Sequence, residues 1–370
     1  MACAMSGAGQ YLFSYDLHPY TWLVDARAEA LGRANMALPG DLRSLSSNPA
    51  GLTELNGIET CYRRASPYYL FETSTFAHAA IGCRLTERLA FGFRYDQDSA
   101  SSDVLTTGDP LGGPVDESSP AGVFGAAVAY RVAKGFSVGA AIANVHPNNK
   151  DLAEPHVDIS LRKTWQSPPT GRVRSTIRAA AGLENISSAQ VDREVPLDRG
   201  FVFRERYDLP VIVRAGVSAK WALHKGWVHD SLPSLALTVQ AQLDDELNSP
   251  YHTAVRTGAE LEVLGVLAMR FGLYRMNIDD QGWPQVQKSS LSEATYGFGL
   301  ILPLGKVFGT NCPITASFDY CSLPQPAFRK DGLNPFYDEP WDRFESWGVR
   351  LVWGIGPVIK RTAAASPSGT

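Results

Sequence analysis

No stretch of this 370-residue chain is apolar over the roughly 18 residues that a bilayer-crossing helix requires. Charge of one sign is not in excess either. The 34 Lys and Arg stand against 38 Asp and Glu, a net −4, and no basic patch is interleaved with aromatics, which excludes a nucleic-acid partner. Catalytic motifs are missing. The seven histidines are scattered, and there is no H-E-x-x-H, no C-x-x-C and no Gly-rich phosphate loop behind a strand. His78 and His146 have suitable neighbours but no motif. The expectation is no catalytic residue, no metal and no cofactor, hence not an enzyme. Cysteine is sparse and odd in number: Cys3, Cys61, Cys83, Cys312 and Cys321. Cys312 and Cys321 fall at opposite ends of one predicted strand, roughly 30 Å apart, and a disulfide needs Cα atoms within about 7 Å. Cys61 and Cys83 sit at mismatched heights of a hairpin. Unpaired structural thiols are expected.

What the chain does have is alternation. Leu89, Phe91, Phe93 and Tyr95 take one parity, while Arg88, Ala90, Gly92, Arg94 and Asp96 take the other. Val211, Val213, Ala215 and Val217 oppose Ile212, Arg214, Gly216 and Ser218. Leu235 to Leu243 and Val255 to Val263 repeat the split against Gln240, Gln242, Arg256, Glu260 and Glu262. Strand side chains change face at every residue, so each segment has one oily face and one charged or very small one. The segments are about 9–11 residues long, the length of a tilted membrane-spanning strand. The mean hydropathy of −0.13 agrees, because half of each such strand is polar. The pattern predicts a transmembrane β-barrel with lipid outside and a polar lumen.

Fourteen strands are predicted, near 57–64, 70–84, 87–98, 121–133, 136–146, 154–165, 172–185, 209–222, 234–246, 252–263, 266–277, 292–302, 312–321 and 343–355. Connections from odd to even strands (65–69, 99–120, 147–153, 186–208, 247–251, 278–291, 322–342) are mostly long. Those from even to odd (85–86, 134–135, 166–171, 223–233, 264–265, 303–311) are mostly tight. Bacterial barrels sort their loops this way, with long loops outside and short turns in the periplasm. An arginine on the lipid face costs roughly 2–4 kcal/mol at the midplane, so Arg88, Arg94, Arg214, Arg256, Arg270 and Arg350 are placed in the lumen with Glu260 and Glu262. Inward Gly92, Gly216, Gly258, Gly272 and Gly348 leave room for something inside.

Residues 25–56 do not read as barrel. Asp25 caps a short Ala-rich helix through 26–37, Pro39-Gly40 breaks it, and Asn48-Pro49-Ala50-Gly51 makes a turn. The stretch DARAEALGRANMALPGDLRSLSSNPAGLTEL resembles the N-terminal hatch of the FadL-like outer-membrane barrels, in particular the PorV/PorQ branch. GLENI at 182–186, LPVIVRAGV at 209–217, LAMRFGLYR at 267–275, YGFGL at 296–300 and ITASFDY at 314–320 match in order, so the resemblance spans roughly 25–355. It implies an all-β, 14-stranded antiparallel transmembrane barrel with the hatch in or under the lumen, in the bacterial outer membrane and in contact with its lipid. The division expected is an N-terminal segment 1–24, a hatch 25–56, a barrel 57–355 and a periplasmic tail 356–370. Ala2-Cys3-Ala4 has the A-x-A form of a signal cleavage site, so the signal is expected upstream or already removed.

Aromatics in the predicted outer loops (Trp283, Phe328, Phe336, Tyr337, Trp341) form the candidate rim for a ligand or partner. Similarity to PorV/PorQ implies a plugged barrel that binds a secretion-machinery or cargo protein. Similarity to FadL-type channels implies uptake of a hydrophobic small molecule. The inward Gly, Arg and Glu speak against an oily tunnel, which favours the first expectation.

Overall fold

The computed structural model describes residues 25–65, 68–69, 72–101, 121–146, 155–168, 172–197, 201–208, 211–224, 235–247, 252–278, 289–307, 313–324 and 343–354. Fourteen strands make the wall: β1 Ile58–Ala65, β2 Glu72–Arg84, β3 Leu89–Ser101, β4 Ala121–Ala133, β5 Phe136–His146, β6 His156–Gln166 and β7 Val173–Glu184. They continue with β8 Ile212–Leu223, β9 Leu235–Glu246, β10 His252–Val263, β11 Leu267–Ile278, β12 Ser289–Pro303, β13 Ile314–Pro324 and β14 Arg343–Trp353. Each pairs antiparallel with its sequence neighbour, and β14 returns to β1 from Ile58↔Trp353 to Ala65↔Ser346. Closure matters because hydrocarbon offers backbone N–H and C=O groups no water; a closed ladder satisfies them all internally.

Alternation produces this wall residue by residue. Along β9, Leu235, Leu237, Val239, Ala241 and Leu243 are exposed, while Ala236, Thr238, Gln240, Gln242 and Asp244 are buried. The exposed set is the lipid face; the buried set lines the lumen. In the short connection between β10 and β11, Leu264 and Gly265 are both at positive φ (55° and 63°), which is the turn geometry that matches strand twist.

Strand ends differ from the sequence reading by a few residues, and two differences are larger. The connection 186–208 contains its own hairpin, Gln190–Leu197 with Phe201–Asp208, separate from the barrel sheet. Its arms alternate less cleanly than the wall, with Arg193 and Glu205 on the apolar parity, and they pair only with each other. The connection 65–69 likewise holds a two-residue ladder, Tyr68–Tyr69 against Glu72 and Thr73. Cys61 lies opposite Ala80, and Cys83 opposite Ile58, three positions apart on the same strand pair. Neither is in a disulfide, nor is Cys321. Residues 1–24 and 355–370 lie outside the described residues.

The face assignment has a direct test. Val255 is on the exposed face of β10, beside buried Arg256. Val255→Arg should lose about 2–4 kcal/mol of refolding free energy into lipid bilayers, measured by denaturant titration. Val255→Leu should change it by less than about 1 kcal/mol. Equal costs would mean that the faces are reversed.

Candidate functional site: the filled lumen

The segment ahead of β1 lies against inward-facing side chains from most of the barrel. It opens with helix α1, Ala26–Ala30, whose first N–H groups are met by Asp25: its carboxylate accepts from the Arg27 N–H at 3.1 Å. The sequence reading carries this helix to residue 37, whereas it ends at Leu31. The cause is Gly32, at φ +69°, which lies against Gly272 so closely that a Cβ on Gly272 would overlap its backbone. Two 3-10 turns follow, Leu42–Ser46 and Pro49–Glu54, and the chain enters β1 through Asn56-Gly57.

Three kinds of interaction seat the segment. The first is close approach at small inward residues. Leu42 fills the space a side chain would need at Gly82, Leu45 that at Gly92, Met36 that at Gly216 and Leu31 that at Gly258, while the Pro49–Ala50 backbone lies over Gly139. Leu42, Leu45, Leu52 and Leu55 form one apolar cluster with Ala80, Ala90, Ala127, Ala129 and Ala141 of the wall.

The second is replacement of water. Irregular backbone buried in a lumen needs partners, and the wall supplies them. Gln242 Oε1 accepts the N–H groups of Asn35 and Met36 at 2.7 and 2.9 Å. Gln240 donates to the Ala34 carbonyl at 2.7 Å, Thr295 accepts from Gly32 at 3.0 Å, and Ser160 accepts from Ala50 at 2.9 Å. Asn48 of the predicted turn donates to the Met36 carbonyl at 2.5 Å, tying the segment's two halves.

The third is charge. Arg27 donates to both oxygens of Glu260 at 2.9 and 2.6 Å, and Arg270 donates to the same carboxylate at 2.6 Å. Arg270 reaches Asp319 at 2.7 Å, and Arg43 reaches it at 2.9 Å. Arg43 also binds Asp41, which has Arg350 at 3.6 Å, and Arg350 lies 3.2 Å from Glu59. One continuous array thus joins segment and wall. A second tie is Glu54, bound by Arg162 at 3.1 Å, by the Thr164 hydroxyl at 3.0 Å and by the Gly40 N–H at 2.9 Å. A third is Glu29 with Arg63.

These partners set the protonation of the segment. Burial works to raise the Asp41 carboxyl, but the guanidiniums of Arg43, Arg350 and Arg27 outweigh it and hold the group below the carboxylate range. Glu54 is lowered in the same way, with Arg162 and Arg178 overriding burial. Glu29 goes the other way, because burial dominates and raises it despite Arg63.

Of the residues singled out in the sequence, Arg94, Arg214, Arg256, Glu260, Glu262 and Arg270 are buried on the inner face, and Arg350 is half-buried there. Arg256 meets Asp244 at 2.6 Å, Arg94 meets Asp96 at 3.4 Å, and Glu262 is held by Lys220 at 2.8 Å. Arg214 pairs with Glu184. Arg88 is a correction: it has the right parity, but it lies in the exposed turn between β2 and β3 and lines nothing. Trp283, Phe328, Phe336, Tyr337 and Trp341 lie outside the described residues. Sequence reasoning did not single out Arg27, Glu29, Asp41, Arg43 and Glu54. Their only trace is charge inside an otherwise Ala/Gly/Leu-rich segment. Among the described residues no group of three or more His, Cys, Asp or Glu is arranged to hold a metal ion.

No family model matches the chain, and no curated protein matches it. Among solved structures it is similar to the toluene transporter TodX of Pseudomonas putida, with 11% identity, a TM-score of 0.45 and coverage of 89% of this chain and 98% of that one. The toluene transporter TbuX of Ralstonia pickettii gives 12%, 0.43, 89% and 96%. A FadL homologue of Pseudomonas aeruginosa gives 11%, 0.41, 90% and 98%. Values this low carry no functional argument; the barrel rests on its own strand pairing.

Two outcomes follow from the ion pairs. Glu260→Gln leaves two buried guanidiniums short of their carboxylate, a loss of about 3–5 kcal/mol, and should raise single-channel conductance in planar bilayers with the barrel still folded. The second concerns pH. Groups lowered in the seated state, Asp41 and Glu54, stabilise seating above the ordinary carboxylate range near 4 and lose that contribution only as pH falls through their lowered values. Glu29, raised by burial, gains rather than loses seating as pH falls. Conductance should therefore stay at its neutral level down to about pH 4.5 and rise only below that. Opening between pH 7 and 5 would contradict the assignment.

Proposed function

We propose that the protein is an outer-membrane barrel that takes up hydrophobic small molecules, admitting them at the end that carries the long loops. The observation that carries this reading is an apolar niche at the long-loop end of the interior, separate from the cluster around Leu42 and Leu45. Ala26 and Ala30 of α1 meet Ala65, Phe76, Cys321 and Leu323 of the wall, all buried, at the long-loop ends of β1, β2 and β13. Its position is as telling as its composition. The β12–β13 ladder ends at Tyr296↔Ser322, while β12 begins seven residues earlier, at Ser289, so the niche adjoins the place where these two strands part. A molecule held there need not cross the ion pairs below, where desolvating it among arginines and carboxylates would be costly. It leaves sideways between β12 and β13, or past α1 when the segment shifts. TodX and TbuX are named for a substrate of the same chemical class, but at their similarity that adds nothing to the argument.

One observation favours the other reading, a plugged barrel that serves as a scaffold or shuttle for a secretion-machinery or cargo protein. At strand level the lumen is closed by the charged array, which a scaffold tolerates and a through-channel does not. The same experiment separates the two. In cells lacking other uptake routes, Leu323→Gln should cut uptake of a radiolabelled monoaromatic hydrocarbon about tenfold, with the barrel's heat-modifiable mobility unchanged. Undiminished uptake with Leu323→Gln, or none by the parent protein, would remove the transport reading and leave the scaffold.

A further inference from the structure

The short-turn end of the barrel carries a concentration of positive charge that the segment in the lumen only partly neutralises. Residues 84–90, 129–137 and 160–178 cover the ends of β2 to β7 and three connections, and they contain nine Arg and Lys against one acid, Glu87. That is a local +8 in a chain whose total is −4. Backbone hydrogen bonds make the surface continuous. The Arg131 N–H donates to the Arg88 carbonyl at 2.7 Å, the Thr164 N–H to Gly135 at 2.7 Å, and the His224 N–H to Arg172 at 2.9 Å. The segment in the lumen neutralises little of this. It offers one carboxylate, Glu54, to Arg162 and Arg178, and only the Thr53 carbonyl, at 2.6 Å, to Arg131.

We propose that this face is the docking surface for an acidic segment of a protein partner on the short-turn side of the membrane. Lipid headgroups are the competing source of negative charge, and the geometry disfavours them. Arg84, Arg131 and Arg174 have lumen-facing parity and lie along one side of the mouth of the barrel, turned away from the lipid annulus. Tyr130, Trp165 and Trp221, exposed on the outer face near the same end, mark the headgroup level. The turns carrying Arg88, Lys134 and Arg172 lie at or beyond it. A flexible acidic chain can follow the arc across the mouth; a headgroup held in the leaflet reaches only its outer edge. The inference is independent of what passes through the barrel.

The test uses full-length protein in nanodiscs of zwitterionic lipid and a fluorescent twelve-residue oligoglutamate, read by anisotropy. Binding is expected at low salt and should weaken steeply as salt rises, because the Debye length falls from about 30 Å at 0.01 M to about 8 Å at 0.15 M. Reversing the exposed turn charges (Arg88→Glu, Lys134→Glu and Arg172→Glu together) should weaken binding at least tenfold. Reversing Arg275, exposed near the opposite end of β11, should change it less than twofold. These positions are exposed, and circular dichroism and heat-modifiability confirm that each variant is folded. No binding by the parent protein, or equal binding by the triple variant, overturns the proposal. So does full displacement of the peptide when the nanodiscs contain a third phosphatidylglycerol, which would assign the surface to lipid.

Discussion

A carboxylate shared between two guanidiniums, Glu260 between Arg27 and Arg270, is the constraint from which the interior follows. A barrel wall needs a polar inner face, since the outer one belongs to lipid. Charges on that face need water or partners, and here the lumen is filled with chain. Neither arginine could be buried alone, and neither could the acid. Each wall charge therefore calls for an opposite charge on the segment or on a neighbouring strand. The array Glu260, Arg270, Asp319, Arg43, Asp41, Arg350 and Glu59 satisfies both demands in turn.

Packing completes what charge begins. Inward glycines and alanines let the segment's leucines and its backbone come close, and wall glutamines, serines and threonines take up backbone groups that would otherwise need water. Close fit accounts for the position of each turn. Ion pairing between hydrated alternatives is worth little net, so the array acts more to specify register than to hold the segment by force. A seat of this kind is firm yet reversible.

The wall was legible in the sequence because a two-sided environment writes itself into every second residue. Leu235 to Asp244 alternates without a break, and the burial of each residue follows. Where the environment is not two-sided, the reading weakened. Gln190–Leu197 and Phe201–Asp208 alternate imperfectly, with Arg193 and Glu205 on the apolar parity, so they read as loop. Arg88 shows the limit of parity: a residue past the strand end keeps its phase and loses its face. Helix α1 stops early because of where Gly32 meets Gly272, a meeting 240 residues distant in sequence that no local signal records. The segment's charges were invisible for the same reason. Nothing near Arg27 in the chain points to Glu260.

The seam between β1 and β14 carries a consequence for how the protein is made. Its eight residue pairs join positions nearly 300 apart in sequence, the last contacts expected to form during assembly. The strand on one side of that seam begins at Ile58, two residues after the inserted segment ends. Whatever brings β1 to its place brings the segment with it, and once the ring is complete, a coil of this width has no side entrance through the hydrogen-bonded wall. Insertion through the wall is then possible only before the seam closes; afterwards an open end is the one way in. Strand number and stagger set the width of the cylinder, so the segment has to fit the bore that closure of the seam makes.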